Sequence, residues 1–276
     1  MQISINGRLA SADEAGIGLS DRGFTLGDGL FETIAVHEGR ILRLEAHLAR
    51  LRAGLETLRL PLGLRDLDLT TRLLSLVSVN DLREGSLRLT ITRGQGPRGL
   101  LPPDPTMPTV IITASPWAGR KTSISAVIAS STRRNEYSPL SRIKALGYLD
   151  NILALIEAQE RGAEDALLLN GAGHVACASA ANLFAMVNGV LQTPPLADGV
   201  LPGVVRAQII GEHKAVERSL TADELYRADE IVLSNALGVR SVVRLDDRII
   251  GSGEPGPLVQ ELASALEFPQ TRAASA

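Results

Sequence analysis

Apolar and polar positions follow two spacings along this chain, one of strands and one of helices. Leu87, Leu89 and Ile91 alternate with polar residues, which predicts a half-buried strand. Leucines recur every three or four residues over 44–58, which predicts an amphipathic helix. The same patterns and the turn signals predict further strands at residues 3–5, 31–36, 110–113, 123–130, 166–169, 183–187, 190–193 and 230–233. Further helices are expected over residues 69–79, 148–160 and 257–266, and directly after Pro202-Gly203.

Strands and helices are mixed along the chain and several hairpins occur, which indicates the α+β class. The composition shifts at Ser-Pro-Trp-Ala-Gly-Arg-Lys, so that a linker is expected at residues 115–122. We therefore predict an N-terminal α+β domain over residues 1–114 and a C-terminal α+β domain over residues 123–276.

Charge and composition exclude several classes of function. The net charge is -3, whereas phosphate-backbone binding needs a basic excess, so nucleic acid is not an expected partner. No run of 18 apolar residues occurs and the start, MQISINGRLA, does not have the pattern of a secretory signal, so no membrane partner is expected. Cys177 is the single cysteine, which favours a reducing compartment and predicts a cytoplasmic protein. The four histidines are scattered, and no metal site is predicted.

A glycine-rich segment, residues 94–99, fits the G-x-G-x-x-G pattern of dinucleotide-binding folds. That fold needs a helix to begin at the last glycines, but Leu-Leu-Pro-Pro-Asp-Pro follows here and cannot begin one. The segment is therefore interpreted as a loop, in which Arg98 could meet an anion.

Lys144 is the candidate for covalent chemistry. It stands between Ile143 and Ala145, and apolar surroundings favour the neutral amine, which can attack a carbonyl and form a Schiff base. The alternative is a solvated surface lysine. Tyr148 lies four residues further on, which we interpret as one helical turn, and could donate a hydrogen bond at the same place.

Two segments could hold a phosphate. Pro202 and Gly203 precede a predicted helix, whose first N–H groups favour an anion, and Arg50 lies three residues after His47 on another helix. The alternatives are that Pro202 and Gly203 only form a turn before the helix, and that Arg50 is a solvated arginine on the helix surface. An aldehyde-reactive lysine together with phosphate-binding groups suits pyridoxal phosphate, which has both an aldehyde and a phosphate.

Five segments in this order resemble the class IV, fold-type IV family of pyridoxal-phosphate enzymes. They are SDRGFTLGDGLFET (20–33), HLARL (47–51), KALGYLDN (144–151), ANLF (181–184) and TPPLADGVLPG (193–203). The resemblance implies a two-domain fold like that of D-amino-acid aminotransferase, a homodimer, and a small-molecule substrate with amino and carboxylate groups.

The resemblance also implies roles for individual residues. Lys144 is the catalytic residue, carrying the cofactor and moving protons. The cofactor-binding residues implied are Arg50, Lys144, Tyr148, Cys177, Gly203, Val204, Val205 and Asn235. The substrate-binding residues implied are Phe31, Arg98 and Ala236.

Cys177 departs from the family pattern. Family members usually have a glutamate five residues before the Asn of Asn-Leu-Phe, paired with the pyridine nitrogen of the cofactor. A neutral thiol cannot supply that negative charge, and a thiolate would need support that the sequence does not show. A small buried packing residue is the alternative interpretation.

Three functions remain open at this stage. The loop at residues 96–99, the segment Ala-Ala-Asn-Leu-Phe and the segment Ser-Asn-Ala-Leu look more like the branch of 4-amino-4-deoxychorismate lyase, which releases pyruvate and 4-aminobenzoate. The strong match at residues 144–151 supports a D-amino-acid or branched-chain aminotransferase instead. A cofactor-binding protein without catalysis is the third hypothesis, which the presence of both Lys144 and Tyr148 disfavours. The lyase is preferred over the aminotransferase.

Overall fold

The computed structural model describes residues 1–117, 119 and 121–266. The chain forms two compact units, one of Met1–Ala118 with Ile143–Gly147 and one of Gly119–Arg142 with Tyr148–Ala276. Ala118 and Arg120 of the predicted linker, and residues 267–276 of the predicted C-terminal domain, lie outside the described residues. The segment that carries Lys144 thus belongs to the first unit, although the sequence-based boundary assigned it to the C-terminal domain.

The first unit is an antiparallel sheet with helices packed on it. Its strands are β1 (Gln2–Ile5), β2 (Arg8–Ser11), β3 (Gly29–His37), β4 (Arg40–Ile41), β5 (Gly85–Thr92) and β6 (Thr109–Pro116). Its helices are α1 (Arg22–Leu26), α2 (Leu44–Thr57) and α3 (Asp66–Val79). The strand order is β2-β1-β6-β5-β3-β4. Helix α2 contacts β3 and helix α3 contacts β1 and β6. The leucines predicted to face inward from α2 and α3 lie in one apolar core with those of β5.

The segment with Lys144 pairs with the edge of β3. The N–H of Phe31 donates to the carbonyl of Lys144 over 2.9 Å, and the N–H of Leu146 donates to the carbonyl of Gly29 over 3.1 Å. Ala145 stands opposite Leu30 in this antiparallel bridge. The two backbone hydrogen bonds flank Ala145, and the first of them fixes the carbonyl of Lys144 itself.

The second unit is a mixed sheet. Its strands are β7 (Ser123–Ile128), β8 (Asp165–Leu169), β9 (Val175–Ala178), β10 (Asn182–Val187), β11 (Val190–Thr193), β12 (Val216–Glu217), β13 (Glu230–Asn235), β14 (Gly238–Leu245) and β15 (Arg248–Ile249). Its α-helices are α4 (Leu149–Glu160), α5 (Val204–His213), α6 (Ala222–Leu225) and α7 (Pro257–Ala265), and two short 3-10 helices are Pro139–Arg142 and Leu196–Asp198. The strand order is β12-β11-β10-β13-β14-β7-β8-β9, with β15 paired to β14. Strand β7 is parallel to both of its neighbours.

Local signals predicted most of these elements. Asn188 and Gly189 have φ of 52° and 73°, as a two-residue hairpin turn requires, and they join β10 to β11 as predicted. The elements that were not predicted are the strands β2, β4, β9, β12, β14 and β15 and the short helices α1 and α6. The four residues of β9 are all buried, so that they show no alternation of apolar and polar side chains. Two sheets with packed helices confirm the α+β class.

Within the described residues, no helix combines the length and the apolar character needed to cross a membrane.

Candidate active site

Lys144 lies against an aromatic ring. Its Nζ is 4.3 Å from the centroid of the Phe31 ring, and the guanidinium carbon of Arg88 is 3.7 Å from the same centroid. Phe31 is buried, and its ring gives the side chains of Lys144 and Arg88 an apolar surface of low dielectric constant. The structure thus brings Lys144 and Phe31 together. Sequence reasoning missed Arg88, whose only signal was its polar position between two leucines of a half-buried strand.

Arg50 is held by a buried carboxylate. Its Nε and Nη2 donate to the two oxygens of Glu32 over 2.8 Å and 2.5 Å. His47 lies 2.7 Å from the same carboxylate through Nδ1, and Glu32 and His47 are each 1% exposed. The bidentate pair fixes the plane of the guanidinium. The predicted phosphate ligand is therefore oriented in advance of any ligand.

The charges in this cluster follow from its partners. Burial alone would raise the pKa of Glu32, but the hydrogen bonds from Arg50 and His47 outweigh it, and the pKa lies below its ordinary value. Burial lowers the pKa of His47, against the raising effect of Glu32. Glu32 is thus an anion, and His47 is a neutral imidazole whose Nδ1–H donates to it. Sequence reasoning missed Glu32, although a lone carboxylate in the apolar strand Leu-Phe-Glu-Thr-Ile was a signal.

Helix α5 begins with backbone N–H groups at a glycine. Gly203 is the residue before the helix, with φ of -67° and ψ of 137°, and no side chain of the described residues caps this end. A Cβ built on Gly203 would overlap Oδ1 of Asn182. Only glycine therefore lets the chain approach Asn182 this closely. The first N–H groups of α5, which include those of Val204 and Val205, are oriented to receive an anion.

A buried hydroxyl lies next to this helix start. Ser234 stands directly opposite Asn182 in the pairing of β10 with β13, so their side chains are on one face of the sheet. The Oγ of Ser234 is buried and finds no hydrogen-bond partner within the described part of the chain. A buried hydroxyl without a partner is costly, and a ligand oxygen would satisfy it.

Ala236 and Leu237 form the turn between β13 and β14, and Asn235 is the last residue of β13. The amide of Asn235 donates to the carbonyl of Ala180 over 3.0 Å and accepts from the N–H of Leu237 over 3.0 Å. The side chain of Asn235 therefore fixes this turn, and Ala236 lies within it.

Cys177 is buried in β9, opposite Leu168 of β8. Burial raises the pKa of its thiol, a nearby Arg134 opposes this, and the carboxylate of Asp165 adds to it. Cys177 is therefore a neutral thiol. Asp165 is itself engaged, since it accepts from Ser179 Oγ over 2.6 Å and from Arg240 Nη2 over 2.6 Å.

Lys144 and Tyr148 do not lie on the same helix. Helix α4 begins at Leu149 with Tyr148 as the residue before it, whereas Lys144 lies in a turn directly before the bridge of Ala145 with β3. The expectation that Lys144 and Tyr148 are one helical turn apart is therefore wrong, because Gly147 interrupts the helix before it reaches the lysine. Arg98 lies on an exposed loop between β5 and β6.

Comparisons with known proteins agree on a single family. A sequence model described as amino-transferase class IV matches residues 29–245. D-alanine aminotransferase of Bacillus licheniformis is 32% identical over 97% of this chain and 96% of its own.

Solved structures of two activities resemble the chain. The branched-chain amino acid aminotransferase of T.th., solved with pyridoxamine 5'-phosphate, has a TM-score of 0.88 at 26% identity, covering 96% of this chain and 92% of that one. The 4-amino-4-deoxychorismate lyase of Pseudomonas aeruginosa has a TM-score of 0.82 at 31% identity, covering 96% and 97%.

Proposed function

Because the chain belongs to the class IV aminotransferase family, we propose that it is a 4-amino-4-deoxychorismate lyase, with transamination as the second candidate. Membership makes it a pyridoxal-phosphate enzyme. When bound, that cofactor supplies an aldehyde for the substrate amine and a ring that withdraws electrons from the neighbouring carbon. The substrate class, amines that also bear a carboxylate, follows from the family.

The residues of the chain fit this cofactor. We assign the aldehyde to Lys144, whose main-chain carbonyl is held by β3. We assign the phosphate to Arg50 and to the start of α5 at Gly203, where the hydroxyl of Ser234 lacks a partner within the described residues. Tyr148 and Asn235 stay assigned to the cofactor by the resemblance alone.

Lys144 is the proton carrier in the proposed elimination. Its amine takes the proton from the ring carbon that bears the substrate amine. The bond from the adjacent ring carbon to the ether oxygen breaks, and the electron pair leaves with that oxygen. The released enolate of pyruvate receives that proton from Lys144 at its methylene carbon, while the ring becomes aromatic as 4-aminobenzoate.

The choice of elimination depends on the neutral thiol of Cys177. A neutral buried thiol cannot place a negative charge where the family usually has a glutamate, and the nearby carboxylate of Asp165 is already engaged by Ser179 and Arg240. Elimination depends less on electron withdrawal by the cofactor, because the leaving oxygen accepts the electron pair and aromatisation drives the step.

The cations of the first unit add support. The proposed substrate carries two carboxylates, and a guanidinium is well suited to bind each. Arg98 is assigned to one of them. Arg88 lies on the ring of Phe31, as Lys144 does, and is the candidate for the other. A substrate such as D-alanine has a single carboxylate and does not require the second arginine.

The aminotransferase hypothesis is supported by relatives. D-alanine aminotransferase of Bacillus licheniformis matches almost the whole chain at a similar identity to the lyase structure. Under this hypothesis the substrate would be a D-amino acid or a branched-chain amino acid.

One experiment separates the two activities. Purified holoenzyme is incubated with 4-amino-4-deoxychorismate, and 4-aminobenzoate and pyruvate are measured; in parallel it is mixed with D-alanine or L-leucine while the visible spectrum is followed. We expect equal amounts of both products and little spectral change with the amino acids. No 4-aminobenzoate above that of a Lys144→Ala control would contradict the lyase assignment. Conversion of the cofactor to its amine form by an amino acid would establish the aminotransferase. If no amine is turned over, only the third hypothesis remains, which is cofactor binding without catalysis.

We also propose a homodimer in the cytoplasm. Helix α4 exposes Leu149, Ile152, Leu153 and Ile156, which repeat at helical spacing and form an apolar stripe. Such a stripe can pack against its own copy across a twofold axis. Cys177 as the only cysteine supports a reducing compartment. Sedimentation equilibrium at micromolar concentration tests the dimer, and a monomer mass would contradict it.

A further inference from the structure

The loop that carries Arg98 is joined to the segment around Arg22 by main-chain hydrogen bonds. The N–H of Arg22 donates to the carbonyl of Gly94 over 2.8 Å, and the N–H of Gly96 donates to the carbonyl of Ser20 over 3.1 Å. These bonds hold the first part of the loop. They end two residues before Arg98.

The side chain of Arg22 holds the part of the loop after Arg98. Its Nη1 donates to the carbonyl of Gly99 over 2.9 Å and its Nη2 to the carbonyl of Leu100 over 2.8 Å. Its Nε donates to Asp28 over 2.9 Å, and the whole side chain is 4% exposed. One buried guanidinium therefore binds both of the peptide carbonyls that follow Arg98.

Apolar packing cannot replace this contact. Residues 97–101 are exposed, and the side chains of Leu100 and Leu101 are 83% and 86% accessible to solvent. A loop with little buried apolar surface opens at low cost in free energy. The position of Arg98 therefore depends on the polar contacts of Arg22.

Asp28 connects this clamp to the body of the unit. It also accepts from Nε of Arg93 over 2.8 Å. The two Nη atoms of Arg93 donate to the carbonyls of Arg59 and Leu58, over 3.1 Å and 2.8 Å. Arg22 and Arg93 thus make the same three kinds of hydrogen bond and share the same carboxylate, but of the two side chains only that of Arg22 binds residues 99 and 100.

We propose that Arg22 is a positioning residue that fixes the main chain of the Arg98 loop, so that the loop does not have to be ordered when the Arg98 guanidinium meets the substrate carboxylate. The proposal rests on the substrate-binding role of Arg98. Fixing a binding group in advance removes the ordering cost from the binding step. Asp28 serves the same end by fixing the plane of the Arg22 guanidinium.

Lysine variants test this with a matched control. Lysine keeps the charge but lacks the planar fork that binds a carboxylate and two carbonyls at once. Arg22→Lys removes contacts to the loop, whereas Arg93→Lys removes equivalent contacts to residues 58 and 59. Both variants should lower the unfolding temperature by similar amounts, so that stability alone does not distinguish them.

Two measurements on the holoenzyme isolate the loop. Trypsin can cut the bond between Arg98 and Gly99, and we expect Arg22→Lys to raise the rate of that cut about tenfold, with Arg93→Lys within about twofold of wild type. With the proposed lyase substrate, or with whichever amine substrate the enzyme turns over, Arg22→Lys should raise KM about tenfold while kcat changes much less.

A double-mutant cycle shows whether Arg22 acts through Arg98. Once Arg98 is replaced by alanine, Arg22→Lys should change KM by less than about twofold. Equal effects of Arg22→Lys with and without Arg98 would overturn the positioning role, as would a trypsin rate equal to that of Arg93→Lys. If Arg98→Ala leaves KM unchanged, the assigned role of Arg98 fails and the functional part of the inference fails with it, while the trypsin rate still reports on the clamp.

Discussion

Glu32→Gln is the substitution that most directly tests how the first unit prepares Arg50. The carboxylate of Glu32 accepts from Nε and Nη2 of Arg50 and from Nδ1 of His47, and it is 1% exposed. Glutamine has nearly the same shape but only one acceptor oxygen. Its NH2 group would face either Nε of Arg50, or both Nη2 of Arg50 and the Nδ1–H of His47, so that donor meets donor.

The expected loss of stability is large because the partner charge stays buried. The side chain of Arg50 is 12% exposed, and it would lose its neutralising carboxylate. Removing one member of a buried ion pair costs about 3–5 kcal/mol. At roughly 2–3 °C per kcal/mol for a chain of this size, the unfolding midpoint should fall by about 6–15 °C.

The chain offers a matched control on its surface. Glu84 lies 2.9 Å from His37, and the two side chains are 39% and 24% exposed. Glu84→Gln removes a carboxylate that pairs with a histidine in a partly exposed place, where such a pair is worth about 0–1 kcal/mol. Thermal unfolding of cofactor-free protein at pH 7.5 should thus separate the two variants clearly. A midpoint for Glu32→Gln within about 2 °C of Glu84→Gln would refute the reasoning.

The cofactor adds a second arm to this experiment. If Arg50 meets the phosphate, pyridoxal phosphate brings negative charge back to the uncompensated guanidinium. Saturating cofactor should therefore stabilise Glu32→Gln more than it stabilises wild type. An equal shift in both proteins would contradict the assignment of Arg50 to the phosphate.

Three further predictions concern other residues. Gly203→Ala should weaken cofactor binding at least about tenfold in a fluorescence titration, because its Cβ overlaps a neighbouring side chain at the start of α5. Cys177→Glu should raise any transamination rate measured with an amino donor, since it restores a carboxylate at that position. Burial opposes the ionisation of Glu157, but hydrogen bonds from Ser131 and Ser130 outweigh it and lower its pKa to about 2. The stability that ionised Glu157 gives to the folded protein is thus present above the unfolded pKa near 4.5 and is lost as pH falls through about 2. In denaturant unfolding, Glu157→Gln should therefore cost about 1–2 kcal/mol at pH 7 and little at pH 2.

Elements whose signals lie in neighbouring residues could be predicted from the sequence. The leucine stripe of α2 and the Asn188-Gly189 turn could each be predicted from a few neighbouring residues, because helical spacing and positive φ are local properties. The buried strand β9 could not be found in this way. Its four residues, Val-Ala-Cys-Ala, have neither alternation nor enough length to be distinguished from other small apolar segments.

The candidate site shows the same division. Lys144, Arg50 and Gly203 were singled out by their chemistry and immediate neighbours. Glu32 was missed, because its role depends on a helix whose residues come 15 and 18 positions later. The spacing of Lys144 and Tyr148 was misread, because the bridge of Ala145 with β3 lies between them and α4 begins only at Leu149. Such partners are set by tertiary packing, which periodicity does not encode.

Two of the arginines assigned to anions in the first unit, Arg50 and Arg98, are supported in different ways. Arg50 is on a helix and is oriented directly by Glu32, so that its geometry is fixed by one carboxylate. Arg98 is on a loop, and a second arginine, oriented by Asp28, holds the main chain beside it. The first arrangement suits a group that stays bound, because neither partner needs to move. The second leaves the Arg98 side chain itself unconstrained by these contacts, which suits a substrate that must enter and leave at every turnover.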